Sequence, residues 1–89
     1  MKAIVTVVGQ DRVGIIAAVC SKLAEFNVNV LDISQTVMQG YFTMMMAVDT
    51  AKSEIPFVEL AQKLEAKGEE MGMSIRLQRE DIFEAMHRV

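Results

Sequence analysis

The sequence predicts an α+β sandwich in the order βαββαβ, a four-stranded antiparallel sheet with two helices on one face, followed by a short C-terminal helix. Three observations predict it. Four short segments are rich in β-branched or alternating apolar residues, and two longer segments between them repeat apolar residues at helical spacing. Gln39–Gly40, between the second and third strand segments, is a tight-hairpin signal. Right-handed crossovers in both strand–helix–strand connections put the two helices on the same side of the sheet. Residues 1–79 form one domain and residues 80–89 an amphipathic tail.

Each element has its own justification. Residues 2–8 (K-A-I-V-T-V-V) are nearly continuous in apolar character, which suits a central strand covered on both faces. The first helix is expected from Val13 to Phe26, with Ile15, Ile16, Val19, Cys20, Leu23 and Phe26 as a wide stripe. Only Ser21, Lys22 and Glu25 are clearly polar, so the helix is expected to be covered beyond one face. After a turn at Asn27–Asn29, Val30–Gln39 reads as a half-exposed or edge strand. Leu31, Ile33 and Val37 share one parity there, against Asp32, Ser34 and Thr36. The third strand spans 41–49, with Phe42, Met44, Met46 and Val48 on one face. Its run of three methionines is read as adaptable core packing in preference to a metal or haem role. Ser53 is expected to cap the second helix, with Glu54 and Pro56 in the first turn and Gly72 as the stop. Phe57, Leu60, Ala61, Leu64, Gly68 and Met71 make its inner stripe. Met73, Ile75 and Leu77 face inward from the fourth strand, 73–79.

In the tail, Ile82, Phe83, Met86 and Val89 fall at helical spacing. A helix this short is marginal alone in water, so its stripe is expected to dock on its own domain or on a neighbour. The sheet face opposite the helices would otherwise stay bare. His87 is read as an exposed residue near a helix C-terminus.

The stretch Gly9–Ile16 joins the first strand to the first helix. A helix N-terminus offers unpaired backbone N–H groups and the positive end of a dipole. Asp11 is expected as the N-cap. Gly9 and Gly14 would let a ligand carboxylate approach the backbone. Spacing alone favours an ordinary strand-to-helix turn, since G-x-x-x-x-G is a weak motif.

The totals exclude several function classes. Of the 89 residues 52% are hydrophobic, rich for so small a chain, which points to a dense core or to apolar surface meeting a partner. A formal charge of −3 argues against a nucleic-acid or anionic-membrane partner. Tyr41 and Phe42 are adjacent and point to opposite faces, so the middle strands lack paired stacking aromatics for RNA. One His and one Cys leave no zinc set and no nucleophile–base pair, so no cofactor, metal or catalytic residue is expected. Cys20 is read as a small core residue. With no apolar run of membrane-spanning length and no signal-peptide pattern, the chain is expected to be soluble and cytoplasmic.

Two motifs carry a family resemblance. D-R-V-G-I-I at 11–16 is similar to the D-R-P-G-[IL] start of the first helix of ACT domains, and N-V-N-V-L-D-I-S-Q at 27–35 is similar to their second strand. The tail, 79–89, resembles that of stand-alone ACT proteins from bacteria and archaea. The resemblance covers residues 2–79 and implies a ferredoxin-like fold. It further implies an amino-acid site at a subunit interface, where the loop of one chain meets the second strand of another. Carried over, the loop positions are Gln10, Asp11, Arg12, Val13, Gly14 and Ile15, and the strand positions are Asn29, Val30 and Leu31. Val13 stands where the family has Pro. Gly9 stands where serine-sensing members have His, so serine is not implied.

The resemblance implies a regulatory module, not an enzyme. It would work as a homodimer or higher homo-oligomer, with an amino-acid effector and a separate regulated protein. The alternative is a ligand-free interaction or oligomerisation module. The acylphosphatase-like hydrolases share the fold, but residues 9–14 do not match their loop and Asp11 would repel a phosphate.

Overall fold

In the computed structural model, which describes residues 1–10 and 13–81, six elements follow the predicted order: β1 (Lys2–Gln10), α1 (Ile15–Glu25), β2 (Asn29–Met38), β3 (Tyr41–Asp49), α2 (Phe57–Met71) and β4 (Ser74–Arg79). The sheet order is β2-β3-β1-β4, and every neighbouring pair is antiparallel. This is the ferredoxin-like arrangement. β1 and β3 are central; β2 and β4 are edges.

One face of the sheet and the inner sides of both helices form a single core. Ala3, Val5 and Val7 of β1 meet Phe42, Met44, Met46 and Val48 of β3, Ile75 and Leu77 of β4, and Ile15, Val19, Leu23, Leu60 and Leu64 of the helices. Met44 and Met46 are fully buried, so this part of the methionine run packs the core, while Met45 points to the other face. Among the described residues no polar or charged side chain is buried. Cys20 is half-buried against this core.

Three local expectations are corrected. The first helix begins at Ile15, two residues later than expected, and its N-cap is Gly14, not Asp11. Gly14 holds φ +90°, a left-handed conformation that glycine takes without steric cost, and that bend sets where the helix starts. Ser53 does not cap the second helix. Its Oγ donates to the Ile55 carbonyl at 2.9 Å, closing a local turn, and Pro56 stands at the N-cap. The second strand starts at Asn29 and ends at Met38, because Gln39 and Gly40 both take positive φ and form the hairpin turn. β1 is central as expected, and the described residues cover its helix-side face. Ile4 and Thr6 are half-buried and Val8 is exposed on the side away from the helices.

β2 carries a bulge. Pairing steps from Val30↔Val48 to Asp32↔Ala47, leaving Leu31 without a cross-strand partner. Beyond it, Ile33 pairs with Met46 and Val37 with Phe42, so both share the helix-side face. Both are nevertheless exposed, as is Leu31. Gly72 ends α2 as expected, with its N–H donating to the Glu69 carbonyl. The tail helix and His87 lie outside the described residues, apart from the helical Glu80 and Asp81.

Candidate functional site at the sheet ends

The predicted loop sits at one end of the sheet. Gln10 closes β1 opposite Tyr41 and is exposed. Asp11 and Arg12 lie outside the described residues. Val13 is fully exposed, Gly14 caps α1, and Ile15 is buried, anchoring the first turn in the core. The first intrahelical bond runs from the Ala18 N–H to the Gly14 carbonyl at 2.9 Å. The N–H groups of Ile15, Ile16 and Ala17 therefore have no intrahelical acceptor, and among the described residues no side chain caps them. They leave a positive, donor-rich surface beside a residue without a side chain.

The predicted strand positions sit at the other end. Asn29 pairs with Asp49, which in turn pairs with Lys2 at the start of β1. Eight residues of strand separate the Lys2 row from the Gln10 row, about 26 Å. One chain therefore brings Gln10, Val13, Gly14 and Ile15 together, and Asn29, Val30 and Leu31 together, but not the two groups. Asn29 is exposed, Val30 is half-buried against the core, and Leu31 protrudes at the bulge.

Asn29 also lines a recess of about 500 Å³ with Asn27, Asp49, Ala51 and Lys52. Asn27 takes positive φ, and its Nδ2 donates to the Lys52 carbonyl at 3.1 Å. Asp49 accepts the Ala51 N–H at 2.9 Å and faces the N-terminal ammonium at 3.5 Å. That Ala51 hydrogen bond, reinforced by the N-terminus, holds the Asp49 carboxyl below its ordinary range. Sequence reading missed Asp49 and Lys52 as neighbours of Asn29, since only strand register joins them. The two asparagines bracketing the turn were the available signal. Among the described residues no acidic, His and Cys cluster could hold a metal, and no helix is long and apolar enough to cross a membrane.

A family model described as ACT domain matches residues 2–78. The chain belongs to the ACT-domain family. It is 58% identical over 88 residues to a UPF0237 protein from Bifidobacterium longum, covering 99% of this chain and 98% of that one. Among solved structures, an ACT domain protein from Streptococcus pneumoniae superimposes with a TM-score of 0.82 at 47% identity, covering 98% of each chain. The regulatory subunit of aspartate kinase from Thermus thermophilus, in its ligand-free form, matches with a TM-score of 0.66 at 28% identity. It covers 86% of this chain and 50% of that one. The ACT fold accounts for the order of the strands and helices.

Proposed function

We propose that this ACT domain is a cytoplasmic regulatory sensor that binds an amino acid between two copies of the chain and signals to a separate protein. The observation that carries the proposal is the split of the candidate site between opposite ends of the sheet. β2 is an edge strand, and among the described residues no strand pairs with its outer side. Two β2 strands paired antiparallel about a two-fold axis set the beginning of one beside the end of the other. That arrangement carries Asn29, Val30 and Leu31 of one copy towards the Gln10–Ile15 loop of the other. It also covers Leu31, Ile33 and Val37, which are exposed in a single chain.

The chemistry of the joined site suits an α-amino acid. The free N–H groups at the start of α1 take the carboxylate, aided by the helix dipole, and Gly14 leaves the approach open. The Asn29 amide oxygen or the Asp11 carboxylate takes the ammonium group. Val13, fully exposed beside Gly14, is placed to border the ligand side chain. A ligand held by two chains binds the dimer better than the monomer, so it shifts association, and association is the signal. Kinship with a regulatory subunit supports a regulatory role.

A thermal-shift screen against amino acids and common metabolites tests the reading. A specific ligand is expected to raise Tm by several degrees, since saturation at a hundred times Kd adds about 2.7 kcal/mol. Asn29→Ala should abolish the shift, and the remote Lys63→Ala should leave it. An absence of any shift across the panel would favour a ligand-free oligomerisation module.

A further inference from the structure

The face of the sheet turned away from the helices has an apolar centre. Register sets Ile4 beside Ala47 and Gln78, Thr6 beside Met45 and Arg76, and Val8 beside Thr43 and Ser74. The apolar members at its centre, Ile4, Val8, Met45 and Ala47, belong to the two central strands, while Met38 of β2 sits beside Tyr41 at the far end of the face. The edge strand β4 adds only Ser74, Arg76 and Gln78. An antiparallel sheet that leaves one face in water alternates polar residues onto it. Here the middle of that face is apolar instead, with Val8 42% exposed.

We infer that residues 82–89 of the same chain cover this face. β4 ends at Arg79, opposite Ala3, so the chain leaves the sheet beside the Ile4 row. Glu80 and Asp81 already have helical backbone, and Arg79 Nη2 donates to Asp81 Oδ2 at 3.0 Å across the exit. The residues that follow carry Ile82, Phe83, Met86 and Val89 at i, i+1, i+4 and i+7, one stripe of a helix. Eight residues of helix measure about 12 Å, and Ile4 to Val8 along β1 measures about 13 Å. A helix about 10 Å wide lies over two strands spaced about 4.8 Å apart, the width of β1 and β3. Length, width and polarity therefore match. The free edge of β2 lies on a different side of the molecule, so this inference stands apart from the sensor reading.

Nitroxide labelling of the full chain tests it. In a Cys20→Ala background, His87→Cys carries the spin label. The methyl resonances of Ile4, Val8 and Met45 are compared with those of Leu60 and Leu64 on the helix side. The first three are expected to lose most of their intensity and to regain it when the label is reduced, while the leucines lose less. Adding Phe83→Ser and Met86→Ser should bring all five to the same level. Equal attenuation in the starting protein overturns the inference, as does attenuation that survives the double serine change. Attenuation seen only when labelled chains are mixed with isotope-labelled, spin-free chains also overturns it, because the tail then belongs to a second copy.

Discussion

Gly68 shows how tightly α2 is set against the sheet. A Cβ added there would stand 2.7 Å from the Met73 carbonyl oxygen and 3.0 Å from Ile75 Cγ1. The oxygen is backbone and does not swing away. Alanine normally favours a helix interior over glycine by about 1 kcal/mol, but overpacking of this kind costs about 1–3 kcal/mol. Gly68→Ala is expected to lower stability by about 1 kcal/mol net of propensity, or roughly 6 °C in Tm for a domain of this size. Gly9 makes the control. Its added Cβ would meet the Met73 side chain, Cε at 2.8 Å, and that flexible end can turn aside. Gly9→Ala should cost less than half as much in the same melt, and equal costs would sink the backbone-clash account. Asp49 gives a second prediction. Its carboxyl is held below its ordinary value, chiefly by the Ala51 N–H. A depressed carboxylate adds stability that is full above its unfolded-state value and is lost as pH falls through the folded one. A carbon-detected titration should find Asp49 among the lowest midpoints, with the Ala51 amide moving alongside. A midpoint in the ordinary carboxylate range would mean the hydrogen bond does not persist in solution.

The elements were legible in the sequence where their signals are local. The alternation of Phe42, Met44, Met46 and Val48, the Gln39–Gly40 turn and the Gly72 stop each reports a choice made within a few residues. The helix starts were less legible. Asp11 and Ser53 have the chemistry of caps, but the left-handed bend at Gly14 and the extended backbone at Pro56 fix where each helix begins. β1 illustrates a different gap. Its unbroken apolar run correctly marks a central strand, yet a run cannot say whether a second cover belongs to the same chain or to another. The bulge at Leu31 has no sequence signature at all, since it arises from how β2 registers on β3. It is also why Leu31, which shares parity with Ile33 and Val37 in the sequence, stands apart from them in the sheet. For the candidate site, the two motifs name the loop and strand positions, but only topology shows that they lie at opposite ends of one chain's sheet, because local patterns do not encode the distance between strand ends.

At the scale of the whole molecule the question is what β2 meets. An 89-residue chain buries a modest share of its surface, and this one leaves Ile33, Val37 and Met38 exposed on an edge strand, with Val13 exposed just before α1 and Ile16 exposed on it. Unpaired edges of this character attract another strand unless a charge blunts them, and the only charged residue of β2 is Asp32. Replacing Ile33 and Val37 with lysine supplies that charge at two positions already open to solvent, 41% and 55% exposed, so the fold of the single chain should survive. Sedimentation equilibrium at micromolar concentration is expected to give a dimer or larger for the parent chain and a monomer for Ile33→Lys/Val37→Lys. Mass action supplies an independent check, because a dimer's Tm rises with protein concentration and a monomer's does not. The parent should show that dependence and the lysine variant should lose it. A parent chain that sediments as a monomer would remove the interface on which the two-chain site depends. A dimer that persists in the lysine variant would move the contact off the β2 edge and separate Asn29 from the loop of its neighbour.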